Sequence, residues 1–363
     1  MPEHLIMVGT TKGLVQFERV GSEWKVTQVH FRGFPVSFFF EDRKYDIWWV
    51  GMAHRHWGAK IYRSSDRGMS WEEQAMPSLP TGLKLPNGKG ATLKRIWTME
   101  RAGDSLIMGI EPGALLAKRD DSDVWQLNVG LWNHPSRQDP NKWFGAGRDL
   151  SFVHSIVVNP RDNKHFYVAV SCAGVFETRD GGDSCVARNS GLVAAYLPNP
   201  NVEVGHDPHR MYCCDSQPEV MWQQNHCGIF RSIDSGANWE DVTDRSGLAN
   251  YGFGLAIDHK DPLKAWVIPA VSDEERVAAD LALCVCRTDD GGKTWVTLRN
   301  GLPQDFCFDI VFRHSFDRPV EGQTMAFGTS NGNVYISEDD GDTWTMASHR
   351  LARVETVNIV SAS

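Results

Sequence analysis

A chain of 363 residues with formal net charge −9 argues against nucleic acid as a partner, since phosphate binding wants a basic face, and no apolar run nears the roughly 20 residues of a membrane span. Its 41% hydrophobic and 23% charged residues are a globular mix. The opening MPEHLIMVGTTKG has no basic stretch leading into a long apolar core, so no secretory signal is read there and a cytoplasmic location is expected.

In chain order, the first predicted elements are two short β runs, LIMVGT and GLVQF, followed by a turn ending at Trp24. The same arrangement then recurs. Ser64–Trp71 (SSDRGMSW), Thr178–Cys185 (TRDGGDSC), Ser232–Trp239 (SIDSGANW), Thr288–Trp295 (TDDGGKTW) and Ser337–Trp344 (SEDDGDTW) share Ser/Thr, then Asp two later and Gly two after that. An aromatic follows three residues beyond the Gly, except at Cys185. Two decayed copies end at Trp24 and Trp125, which makes seven units of about 50 residues. Gly admits a positive φ, Asp folds back onto backbone N–H groups, and the Trp opens the next strand. Short β runs precede each turn, so every unit predicts four strands. The expected fold is all-β: a seven-bladed β-propeller of four-stranded antiparallel blades, one domain over residues 1–363. The N-terminal runs align with the second and third strands of a blade, so the C-terminal VETVNIV is expected to supply the innermost strand of blade 1 and close the ring. The stretch EERVAADLAL could form a short helix or a loop insertion.

These turns resemble the Asp box of BNR repeats, and the chain is similar over its length to the YVTN/BNR-like bacterial propellers, a sialidase-like group often labelled as glycosyl hydrolases. The resemblance implies the fold. A sialidase site would need an Arg triad and a Tyr/Glu pair. The run FRGFP (Phe31–Pro35) carries one residue more than the sialidase [FY]RIP stretch, and no such triad or pair falls into place. Propellers that share the boxes also include non-catalytic receptors and assembly factors.

Antiparallel strands alternate the faces of their connections. The boxes, between strands 3 and 4, therefore share one face, while strand 2–3 loops and inter-blade loops share the other. The long inserts all fall on that second face: AHRHWGAK, LPTGLKLPNGKGATLK, GLWNHPSRQDPNKWFGAGRDLS and AVSDEERVAADLAL. Long loops on a rigid scaffold are where binding sits. Aligning blades 4 and 5 through the glycines of CAGVF and HCGIF sets His154 opposite His209 at the start of innermost strands, with Phe253 and Phe308 at the same place in blades 6 and 7. It also sets His226 opposite Cys172 and Glu111, and Arg95 at the His154 position of blade 3.

His154, His209 and His226 are thus the candidate ligands of a divalent transition metal (zinc, iron, copper or nickel) at the channel mouth. Glu111 would be a fourth ligand or base, with Arg95 and Asn225 contacting substrate. Trp132, His134 and Arg137 could cover the channel as a substrate-binding lid. Each has a structural alternative: hydrogen-bonded strand-end histidines, a Glu111–Arg95 ion pair, Asn225 capping a turn, and a solvated loop over residues 130–150. The box carboxylates are expected to hold turns only. The eight cysteines lack zinc-knuckle or C-x-x-C spacing and are expected to be free thiols. The favoured function is a hydrolase-type enzyme acting on a small molecule in the central channel, with a non-catalytic binding or assembly propeller as the alternative and a glycosidase third.

Overall fold

The computed structural model describes residues 4–54, 56–139, 141–145 and 147–362. Arg55 of the AHRHW loop, and Pro140 and Ala146 of the 130–150 loop, lie outside the described residues. Seven four-stranded antiparallel sheets are formed. Their innermost strands are Val354–Ser361, Val36–Asp42, Arg95–Ala102, Val153–Asn159, Pro208–Cys213, Gly252–Ile257 and Phe316–Asp317. Each of these strands contacts the next, and Phe316–Asp317 meets Val354–Ser361, so the ring is closed. Closure comes from the C-terminal strand as expected: Leu5, Ile6 and Val8 of His4–Thr10 pair with Val360, Ile359 and Val357.

The recurrent turn explains why each blade ends as it does. In the Ser232 copy, the Ser232 hydroxyl donates to Asp234 Oδ1 at 2.8 Å and accepts from Gly236 N at 2.9 Å. Asp234 Oδ1 then accepts from Asn238 N at 2.9 Å. The same three bonds recur around Asp66, Asp180, Asp290 and Asp339. Gly236 sits at φ +74, a conformation that a Cβ disfavours. The following Trp fastens its blade to the one before: Trp239 donates from its backbone N to Ser190 O and from its ring to Arg188 O, each at 2.8 Å. In blade 3 the decayed copy is held differently. Asp120 there takes Lys44 and Tyr45 of the neighbouring blade, together with Arg101. Between blades 6 and 7 the core is aromatic, with Trp266, Phe316, Phe327, Tyr335 and Trp344 in one cluster.

One irregularity repeats at the axis. The innermost strands slip register near their starts, between Val36 and Phe38, Ile96 and Thr98, Val153 and Ser155, Pro208 and Arg210, and Gly252 and Gly254. The extra residue of each bulge is Ser37, Trp97, His154, His209 or Phe253, with Glu355 the counterpart in blade 1. A bulge re-aims one side chain out of the sheet's alternation. His154 and His209 are equivalent, as the repeat alignment expected. Blade 3 offers Trp97 at that position rather than Arg95, because the bulge lies two residues further in. Blade 7 does not offer Phe308, which is 58% exposed in the preceding loop. The chain enters blade 7 later, and Arg313 and His314 reach the axis instead. The stretch 274–283 is a loop carrying one 3-10 turn at Ala279–Leu281. All eight cysteines are free, six of them buried.

Candidate metal centre

The inter-blade loop ahead of blade 5 delivers Asp207, the bulge at the start of Pro208–Cys213 delivers His209, and the turn after Met221–Asn225 delivers His226. A backbone bond from His226 N to Asp207 O, 2.9 Å, ties the two ends of this arrangement together. One ligand atom from each of the three residues lies within 4.8 Å of the other two. Asp207 Oδ2 is 3.3 Å from His209 Nε2 and 3.7 Å from His226 Nδ1. In a tetrahedral site with bonds of about 2.1 Å, neighbouring ligand atoms stand roughly 3.4 Å apart, so these separations suit a shared ion.

The surroundings orient the three groups toward one another. His209 Nδ1 is 2.7 Å from Gly252 O; the carbonyl can only accept, so Nδ1 carries a proton and Nε2 is the nitrogen left facing Asp207. At 3.3 Å from a carboxylate oxygen, Nε2 either donates a proton to it, as an imidazolium does, or shares a metal ion with it. Asp207 Oδ1 accepts from Ser171 Oγ at 2.7 Å and Cys172 N at 3.2 Å, the outer contacts that orient a ligating carboxylate. Burial pushes the Asp207 carboxyl up, but His209, Arg313 and Ser171 outweigh it and hold it well below the usual range. Burial and the neighbouring His209 lower the pKa of His226, keeping its imidazole neutral near pH 7. The pair is walled by aromatic rings: Tyr196 is edge-on to His226 at 5.0 Å, Tyr251 stands 5.6–5.8 Å from both imidazoles, and Phe253 stacks on His209 at 4.3 Å.

The other candidates are placed as follows. His154 is fully buried, with Nδ1 3.0 Å from Ser155 Oγ, Nε2 without a partner, and His314 beside it. It belongs to no three-ligand group among the described residues; Asp207 holds the third place instead. Burial, then Arg313 and His314, drive its pKa well below the ordinary value. Glu111 accepts from Arg148 Nε at 2.6 Å. Arg95 donates to Glu355 at 2.9 Å and stacks over Trp97. Asn225 caps its turn, accepting from Cys227 N at 3.1 Å while donating to Gln223. Arg137 is buried between the rings of Trp132 and Trp143, 4.0 and 4.8 Å from their centroids. His134 Nδ1 accepts from Ser136 N, and its ring packs on Phe176. These three side chains are packed into the base of the 130–150 loop. Arg32 of the FRGFP run is exposed.

Sequence reasoning missed Asp207, Arg313 and His314. Asp207 had a signal, since the run HDPH at 206–209 sets a carboxylate two residues ahead of His209 at a strand entrance. At the opposite, box-bearing mouth a cavity of about 500 Å³ is lined by Glu100, Arg210, Tyr212 and Asp317, among others. It is separate from the triad.

No protein-family profile matches the chain, and no curated protein sequence matches it significantly. Its fold is that of several solved propellers. It is similar to a GH74 xyloglucanase from Xanthomonas campestris, with 15% identity, a TM-score of 0.62, and coverage of 96% of this chain and 53% of that one. The chain thus spans about half of that enzyme. A Bacteroides fragilis protein provisionally named 6-phosphogluconolactonase aligns over 99% of this chain and 98% of its own, at 11% identity and TM-score 0.61. YCF48 from Cyanidioschyzon merolae aligns over 93% and 96%, at 13% identity and TM-score 0.56. Such identities establish the seven-bladed architecture. The neighbours include a xyloglucanase, a protein provisionally named a lactonase and YCF48 alike, and one fold hosts many activities.

Proposed function

We propose that this chain is a BNR-type propeller with hydrolase-type activity on a small molecule, carried out at the insert-bearing mouth of its channel by a divalent transition metal on Asp207, His209 and His226. The convergence of two imidazoles and one carboxylate, with His209 Nδ1 engaged by Gly252 O so that Nε2 faces Asp207, carries this reading. Zinc, iron, copper or nickel suits such a mixed N/O set. Three protein ligands leave a coordination position open, and a divalent ion there lowers the pKa of a bound water toward 7. The rings of Tyr196, Tyr251 and Phe253 stand around the two imidazoles, a setting that suits a small substrate rather than a polymer.

The test is metal content and affinity. Purified protein stripped with chelator is titrated with Zn2+ by calorimetry and with Co2+ by visible absorption, beside Asp207→Asn and His226→Ala. One ion per chain with micromolar or tighter affinity is expected, with at least tenfold loss in each variant. A wild type that retains no ion, or a His226→Ala that binds as wild type does, refutes the reading.

A second reading, a non-catalytic binding propeller, is favoured by three aromatic residues on the same face: Trp57, Phe306 and Phe308 are exposed by 70, 80 and 58%. A rim of this kind suits a protein partner, and this reading gains if the metal fails.

A further inference from the structure

A guanidinium from two blades further round the ring reaches the axis beside the triad. Arg313, in the approach to blade 7, donates from Nε to the carbonyl of His209 at 3.2 Å. Its guanidinium carbon lies 5.2, 5.5 and 6.0 Å from the ring centres of Phe152, Phe253 and Trp97. Four other arginines ring this mouth, and each has a carboxylate: Arg95 and Arg353 share Glu355, Arg148 takes Glu111, and Arg276 takes Asp273. Among the described residues Arg313 makes no ion pair, and its two Nη groups make no hydrogen bond. Beside it, His154 Nε2 is also without a partner. Five guanidiniums thus face three carboxylates, once Asp207 is assigned to the metal, in a protein whose overall formal charge is −9. A positive focus within an acidic surface draws in anions, and an unpaired guanidinium among aromatic rings is costly unless something compensates it.

We propose that Arg313 is the anion-recognising residue of the site, and that the substrate is a compact organic acid whose carboxylate sits on the Nη edge of Arg313 with its reacting group toward Asp207, His209 and His226. This rests on the metal reading for the reacting end, but the recognition of the carboxylate does not depend on it. Nε is spent on His209 O, so the remaining edge offers two parallel N–H donors, the spacing that matches a planar carboxylate. The aromatic surroundings supply apolar contact for a short carbon chain.

The experiment uses the full chain, zinc-loaded and metal-free, titrated calorimetrically with succinate, its neutral counterpart succinamide, and inorganic phosphate. Succinate is expected to bind wild type at least tenfold more tightly than either of the others. Arg313→Gln should lose that preference while keeping its Zn2+ affinity. Arg313→Lys keeps the charge and loses the fork, so it should bind succinate several-fold more weakly and no longer favour it over phosphate; it decides the matter if Arg313→Gln does not fold. Equal binding of phosphate and succinate by wild type, unchanged succinate binding in the variants, or no binding of succinate overturns the proposal. Arg313-dependent succinate binding by a protein that takes up no zinc upholds this inference while the metal-dependent hydrolase fails.

Discussion

Deleting the chain from Val354 onward should cost far more than a surface tail would. The strand Val354–Ser361 is the innermost of blade 1 and pairs along the whole of His4–Thr10. Val354, Val357, Ile359 and Val360 are 0–3% exposed, and burying each such side chain contributes about 1.5–3 kcal/mol. Together that is roughly 6–12 kcal/mol, comparable with the whole stability of about 5–15 kcal/mol that folded proteins show. The deletion also strips the ladder partners from His4–Thr10 and leaves that strand as an unpaired sheet edge. The truncated chain should therefore be unfolded or aggregated at 25 °C. A milder probe is Ile359→Ala, expected to cost about 2–5 kcal/mol. With an unfolding entropy near 2.1 cal/mol/K per residue, 1 kcal/mol moves the melting temperature of a chain this long by about 1.3 °C, so Ile359→Ala should lower it by roughly 3–7 °C. Differential scanning calorimetry of wild type, Ile359→Ala and the truncated form measures all three. A truncated protein that melts within 2 °C of wild type would show that the ring does not depend on this strand.

Three further outcomes follow from other parts of the structure. Asp234→Ala removes the carboxylate that closes its turn on Asn238 and Ser232 and should cost about 0.5–2 kcal/mol, as lost caps do, read by urea denaturation, with zinc affinity unchanged. Ser70 and Ser64 hold the Asp66 carboxyl down at about 2, so its contribution is present above the ordinary carboxylate range and is lost as the pH falls through 2; Asp66→Asn should flatten the acid limb of a pH–stability profile between pH 4 and 2. Glu100 behaves oppositely: burial pushes its carboxyl up to about 7, so the folded state binds a proton that the unfolded chain has released. Stability should therefore fall as the pH rises from about 4.5 to 7, and Glu100→Gln should remove that slope and raise the melting temperature at pH 8.

The fold was legible because its instructions are local. Five turns repeat a hydroxyl, a carboxylate and a glycine at fixed spacing, four of them followed by a Trp, and the hydroxyl, the carboxylate and the glycine each make a bond in the structure. Closure was legible because the N-terminal strands were a blade short of one strand. The axis was less legible, because bulges and turn lengths do not show in a glycine alignment. The turn before Gly174 has three residues and the one before Gly228 has two, so His226 stands opposite Ser171 rather than Cys172, while Glu111 is its counterpart in blade 3, each following the residue paired just before the bulge. The extra residues ahead of blade 7 hid Arg313 and His314 behind Phe308.

The placement of the triad has a consequence for how the parts could divide their work. Asp207, His209 and His226 all belong to blade 5 and its entry loop, and a backbone bond joins the first to the last. Neighbouring blades only orient them, blade 4 through Ser171 and Cys172 and blade 6 through Gly252. A metal site built this way is as rigid as a single sheet and does not depend on the long inserts. Arg313 comes from the approach to blade 7, two blades on, and touches blade 5 through the carbonyl of His209 itself. Any shift of blade 7 relative to blade 5 would therefore change the distance between the guanidinium and the ligand strand. Seven blades locked by Trp residues and a closing strand keep that distance fixed, which is what a site needs when one end of a small molecule is held by an arginine and the other must meet a metal.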